Sequence, residues 1–259
     1  MSAFKIATWN VNSLRVRLPH VQDWLVQTQP DVLALQETKL VDADFPFAAF
    51  HDLGYRVVAS GQKTYNGVAI ISREEASNII YDIPELEDPQ RRVLCAEING
   101  ICVLDIYVPN GQSLTSEKYQ YKLNWLDKLA NFLKQKLAVH QKIIVLGDFN
   151  IAPHEIDVHD PLLWEGQILC SIPERAAFNA ILNLGFKDCF RHHTPEGQQF
   201  SWWDYRMNAF KRNRGLRIDH ILANEDLIAA CNRCYIDPLP RSWDRPSDHT
   251  PVIAEFLSS

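Results

Sequence analysis

Residues 143–153 read IIVLGDFNIAP. Four large apolar residues in a row call for dry packing on both faces, so this run belongs in the middle of a sheet that is covered on both sides. The run then stops at Gly147-Asp148-Phe149-Asn150, and the chain turns at Pro153. Asp148 and Asn150 stand two apart and share a face. An ionised carboxylate at the end of a dry strand is unfavourable unless something offsets its charge. The chain must therefore supply both a two-sided core and a partner for that acid.

The remaining pattern supplies the core. Phe4–Trp9 reads as a strand, and Pro19–Gln27 as a helix with Val21, Trp24 and Leu25 at helical spacing and Pro30 as its stop. Val32–Leu35 is the next strand, and Asn66-Gly67 signals a hairpin turn before Val68–Ile71. Val93–Ile98 and Ile101–Val108 flank Asn99-Gly100 as an antiparallel hairpin. Ser116–Val139 reads as a long helix with Leu126, Leu129, Leu133 and Leu137 along one stripe. Ile143–Leu146 follows it, and Pro173–Leu184 is a helix stopped by Gly185. Ile218–Leu222 and Val252–Phe256 are the last strands. Hairpins mixed with strand–helix–strand units predict mixed sheets flanked by helices, an α/β architecture. No linker, repeat or compositional break divides the 259 residues, so one domain over 1–259 is expected.

Polar groups gather where these strands end. The first strand runs into Asn10 and Asn12, the second into Gln36-Glu37, and ICVLDIYVPNG into Tyr107, Pro109 and Asn110. Asp219 and His220 open the strand at Ile218, and Ser247-Asp248-His249 precede the last one. One such strand end is an ordinary loop. Six together point to a site on the rim of a rigid sheet. Glu37, Asp148, Asp248, Asn12 and Asn150 are hard oxygen donors, suited to Mg²⁺ or Mn²⁺ and not to Zn²⁺. No phosphate-cradling Gly-rich loop and no Gly-x-Ser-x-Gly elbow is present. Metal-assisted hydrolysis of a phosphate ester is the chemistry this set implies.

The net charge of −6 is against a simple nucleic-acid binder, though acids gathered at a metal would leave basic clusters free to act. Lys211, Arg212, Arg214 and Arg217 in KRNRGLR, and the Arg91-Arg92 pair, are clusters of the kind that track phosphates. Just upstream lies FSWWDYR. As a strand it would place Phe200 with Trp202 on one face and Trp203 with Tyr205 on the other. Arg206 reads as a DNA contact or as half of a surface ion pair. No run reaches membrane-spanning length, and MSAFKIATWN lacks a signal-peptide pattern, so a cytoplasmic protein is expected. The six cysteines are read as thiols, including the lone Cys231–Cys234 spacing.

The stretches WNVNS, LQETK, YVPNG, LGDFNIAP, GLRIDHIL and PSDHTPV, in this order, resemble the endonuclease/exonuclease/phosphatase superfamily, and GLRID, PSDH and FSWWDYR resemble its exonuclease III branch. The resemblance covers Phe4 to Phe256. It implies a four-layered α/β sandwich of two packed mixed sheets flanked by helices. It also implies a Mg²⁺-dependent DNA-repair nuclease, with Mn²⁺ as the alternative ion, acting as a monomer on abasic sites and recessed 3′ ends of duplex DNA. Carried over by position, Glu37 would be the principal metal carboxylate, with Asn12, Asp148, Asn150, Asp248 and His249 in the same set. Asp148 would activate water, and Asn150 would hold the metal shell or the developing phosphorane charge. Tyr107 would bond the scissile phosphate, and Asp219 would orient His249. Trp202 and Leu216 would wall a pocket for a flipped abasic sugar. Asn110, Arg91, Arg206, Lys211, Arg212 and Arg214 are the remaining expected DNA contacts. Two other readings stay open at this point: a phosphoesterase for a lipid or small-molecule phosphate, and a non-catalytic DNA-binding domain.

Overall fold

The run Ile143–Leu146 is buried on both faces, as its composition requires. Ile144 and Leu146 enter one apolar cluster, and Ile143 and Val145 enter another on the opposite side. The computed structural model describes residues 3–257; the outermost residues of the expected 1–259 domain, 1–2 and 258–259, lie outside these. In chain order the strands are β1 (Ala3–Asn10), β2 (Val32–Gln36), β3 (Arg56–Ser60), β4 (Val68–Ser72), β5 (Ser77–Tyr81), β6 (Val93–Ile98), β7 (Ile101–Tyr107), β8 (Ile143–Asp148), β9 (Phe186–Asp188), β10 (Asp219–Asn224), β11 (Cys231–Ile236) and β12 (Val252–Leu257). They form two six-stranded sheets, ordered β11-β12-β1-β2-β4-β3 and β5-β6-β7-β8-β10-β9.

Three apolar layers hold four structural layers together. Ile6, Ala34, Ile70, Leu94, Val103, Leu146 and Ala254 fill the space between the sheets. Trp9, Val21, Trp24, Leu25 and Leu33 pack the Leu14–Thr28 helix on the first sheet. Leu104, Val145, Leu126, Leu129, Leu133 and Phe178 pack the Glu117–Leu137 and Ile172–Leu182 helices on the second. This is the expected α/β sandwich.

Each sheet contains one parallel pair, β1 with β2 and β7 with β8, joined by the Leu14–Thr28 and Glu117–Leu137 helices respectively. Parallel strands end side by side, so Asn10 pairs with Gln36 and Tyr107 with Asp148. The antiparallel neighbours β12 and β10 begin at the same rim, with Val252 opposite Thr8 and Asp219 opposite Asp148. The carboxyl ends of parallel strands are where ligands bind in open α/β sheets.

Three local expectations are corrected. The first helix starts at Leu14 and carries Pro19 inside it. Its opening turn is held from outside, because Ser13 N–H and Leu14 N–H donate to the carbonyls of Glu37 and Thr38 at 2.7 and 3.0 Å. The strand expected to stop at Leu146 runs on to Asp148. Gly147 is not its end: a Cβ there would lie 1.9 Å from the Ile106 carbonyl oxygen, so glycine lets β7 and β8 approach. FSWWDYR is not a regular strand either. Phe200 and Trp203 are buried together with ring centroids 6.5 Å apart, while Trp202 packs on a different cluster with Leu216. Gly215 makes this possible, since a Cβ would meet Phe200 and Trp203 below 3 Å. All six cysteines are buried free thiols. Among the described residues no helix is long and apolar enough to cross a membrane.

Candidate active site

Asp148 ends β8 almost without exposure. Its Oδ1 accepts the Asn150 N–H at 2.8 Å, and its Oδ2 accepts the side-chain amides of Asn10 at 2.9 Å and Asn150 at 3.2 Å. The Asn10 amide also donates to Glu37 Oε1 at 2.9 Å. One buried amide thus ties the carboxylate of one sheet to that of the other. The sequence marks Asn10 and the half-buried Asn12 together at this strand end and assigns the site role to Asn12; the bridge falls to Asn10.

His249 stands between acids. Its Nδ1 donates to Asp219 at 2.9 Å, and its Nε2 lies 3.7 Å from Asp148 Oδ2. Asp219 is itself held by the Ser201 hydroxyl at 2.6 Å, and Ser201 was not anticipated. Burial alone would lower the imidazole, but Asp219 and Asp148 outweigh it and push it up to about 10. Burial pushes the Asp148 carboxyl up to about 7, against the pull of His249. Burial, and then Glu37 and Asp148, raise the Tyr107 phenol well above its ordinary range, so it keeps its proton as a donor.

Asn12 and Asp248 sit at the outer edge. The Asn12 amide donates to Asp248 Oδ1 and the Trp202 indole N–H to Asp248 Oδ2, each at 2.9 Å. The Lys39 ammonium lies 2.9 Å from Glu37 Oε2. Asn150 has no free amide: it donates to Val108 O at 3.0 Å and accepts from Asn110 at 3.1 Å. Asn12, Glu37 and Asn150 all have left-handed backbones, with φ of 43°, 51° and 49°. Strained backbone of this kind is concentrated at functional sites.

Ligand atoms of Glu37, Asp148 and His249 lie within 4.8 Å of one another. The two carboxylates and neighbouring amide oxygens fit a divalent cation, with the protonated His249 beside it as a donor and not a ligand, and an acid pushed up by burial is where such a charge is best accommodated. A cavity of about 660 Å³ adjoins this group at Tyr107 and Asn110 and is lined also by Gln62, Arg92, Lys118 and Tyr121.

The structure thus brings together Asn12, Glu37, Tyr107, Asn110, Asp148, Asn150, Asp219, Asp248, His249 and Trp202. Other expected contacts stand apart. Arg91 pairs with Asp82, and the exposed Arg206 pairs with Asp204 at 2.7 Å. Lys211, Arg212 and Arg214 are exposed on their loop. Arg217, grouped with them by sequence, is wholly buried and bound to Asp157 and Asp188 at 2.7 Å each, so it is not a phosphate contact. Leu216 is also wholly buried, so it backs Trp202 and does not form an open wall.

The model of the "Endonuclease/Exonuclease/phosphatase family" matches residues 7–249. The chain is 35% identical to exodeoxyribonuclease III of Haemophilus influenzae, over 97% of this chain and 99% of that one. It superposes on the 3′ phosphatase NExo from Neisseria bound to product DNA hairpin with a TM-score of 0.98, at 47% identity, covering 99% of this chain and all of that one. An AP endonuclease from Archaeoglobus fulgidus gives a TM-score of 0.95 at 42% identity, covering 98% of this chain and all of that one.

Proposed function

This chain belongs to the endonuclease/exonuclease/phosphatase family, and from that premise we propose that it is a hydrolytic DNA-repair nuclease that cuts phosphodiesters 5′ to abasic sites and at 3′ ends of duplex DNA. The observation that carries this reading is the convergence of Glu37, Asp148 and His249, drawn from both sheets, at one strand-end rim. Glu37 and Asp148, with Asn12 and Asp248 around them, would hold Mg²⁺, with Mn²⁺ as the substitute, while the protonated His249 and the engaged Asn150 stand beside the ion and not on it. When bound, that cation supplies positive charge where the phosphate becomes more negative. Asp148, near neutrality in its proton affinity, takes the proton of the attacking water. His249, held as a cation by Asp219, donates to a phosphate oxygen. Tyr107 donates a second hydrogen bond to the same group. Asn150, fully engaged, holds the Asp148 carboxylate in place. Trp202, backed by Leu216, presents the apolar face for an extruded abasic sugar, whose removal from the stack is cheap. The enzyme acts in the cytoplasm as a single-domain monomer.

The test uses labelled duplexes, one with an abasic analogue and one with a blocked 3′ end, with and without EDTA. Wild type is expected to cut only with the divalent ion present, and Asp148→Asn to cut neither. Hydrolysis of a phosphoinositide with both duplexes left intact would overturn the reading.

A further inference from the structure

Lys122 is a lysine shut off from water, inside the Glu117–Leu137 helix. Its Nζ donates to Glu174 Oε1 at 2.5 Å, to the Asn150 carbonyl at 2.7 Å and to the Asn110 carbonyl at 3.2 Å. An ammonium has three donors, and all three are used. Glu174 in turn accepts the N–H groups of Leu169 and Ser171 and the Ser171 hydroxyl at 2.6 to 3.1 Å. Leu169 belongs to the cluster on which Trp202 packs. One buried ion pair therefore gathers three loops around the site: the one after β7, the one after β8, and the one leading into the Ile172–Leu182 helix.

A buried ion pair is a poor way to gain stability, since an apolar pair of equal volume does as well or better. Its acceptors suggest another use. Asn150 stands in left-handed backbone and contacts Asp148 twice, through its N–H and its side-chain amide. A shift of the Asn150 carbonyl is thus passed to both oxygens of the Asp148 carboxylate. We propose that Lys122 is a positioning residue for the hydrolytic site, fixing the Asn110 and Asn150 carbonyls and through Asn150 the aim of Asp148, with Glu174 as its counter-ion. This rests on the nuclease reading given above.

The test compares steady-state cutting of the abasic duplex by wild type, Asp148→Asn, the neutral double variant Lys122→Met with Glu174→Gln, and Glu174→Gln alone. Leu129→Ala, in the same helix and core, serves as a stability-matched control. Thermal melting is measured for each. The double variant is expected to lose kcat by about tenfold or more with KM within about twofold, and Leu129→Ala to keep its kcat per folded molecule. Glu174→Gln, whose amide oxygen still accepts the Leu169 N–H, is expected to lose kcat severalfold and is judged by the same criterion if the double variant does not fold. A wild-type kcat in the folded variants, or an equal loss in Leu129→Ala, overturns the positioning role. Failure of wild type itself to cut overturns the nuclease reading, a result separable from the other because Asp148→Asn then changes nothing.

Discussion

The parallel pair of the first sheet and that of the second deliver their site residues by different means. Three residues, 11–13, separate β1 from its crossover helix, whereas nine, 108–116, separate β7 from its own. The short connection is fixed by main chain: Val11, Ser13 and Leu14 donate their N–H groups to Gln36, Glu37 and Thr38 at 2.7 to 3.0 Å. The long one has one such bond at its start, from Val108 N–H to the Asp148 carbonyl at 2.9 Å, and beyond it the tie to the rest of the site is made by side chains, the Asn110 amide on Asn150 and the buried Lys122 on the Asn110 carbonyl. Backbone bonding survives most substitutions. Side-chain ties do not, so the half that carries Asp148 is the more vulnerable half.

The sharpest way to break this contrast is to remove one carboxylate from each half. Asp148→Asn is expected to lose on the order of a thousandfold in kcat that no added Mg²⁺ restores. Glu37→Gln is expected to recover much of its rate as Mg²⁺ is raised, because Glu37 is proposed chiefly to hold the ion. A titration of single-turnover rate against Mg²⁺ separates the two; identical curves would erase the distinction. Next in size is the bridge between the halves. Asn10→Ala is expected to lower kcat about a hundredfold and to destabilise by about 1–2 kcal/mol, measured by cutting rate and urea midpoint.

A third effect is on stability alone and belongs to the second half. His220 accepts from Arg217 Nη1 through Nδ1 and donates to the Ile151 carbonyl through Nε2, and burial lowers it to about 4 from an ordinary 6.5. Between those values the unfolded chain binds a proton that the folded chain refuses. Stability is therefore lost as pH falls from about 6.5 and levels off below about 4. The sum is on the order of 3 kcal/mol at most. Burial would raise the nearby Asp157 carboxyl, but Arg217 and Arg191 hold it below the ordinary range, so its contribution is lost in the same acid direction. The urea stability of wild type minus that of His220→Asn should shrink from pH 7 to pH 4. A constant difference would contradict the assignment. The smallest effect is expected on the exposed loop. Neutralising Lys211, Arg212 and Arg214 together should raise KM modestly and leave kcat unchanged. The salt dependence of KM should flatten by up to about 0.9 for each phosphate that the loop no longer neutralises.

The eight strands legible in the sequence are the interior ones. The four that were not, β3, β5, β9 and β11, are the four sheet edges. Interior strands bury both faces and read as apolar runs, while edge strands such as SNIIY and CNRCYI carry polar residues that mask the pattern. The site was legible for a related reason: polar residues stand out at the ends of apolar runs, and Glu37, Asp148 and His249 do so. What sequence could not show was which member of a polar pair turns inward. Asn10 bridges the carboxylates while Asn12 faces the rim, and Arg217 leaves its basic neighbours for Asp157. Pro19 misled because the start of its helix is set by Glu37 and Thr38, just past β2, a contact no local window contains.

The Asn10 amide spans β1 of one sheet and β8 of the other. The site is therefore a gauge of the gap between the sheets. The small residues Ala34, Ala96 and Ala254 lie in that gap. Enlarging them would push the two carboxylates apart, so repacking the interior should register as a slower reaction before it registers as a lower melting point.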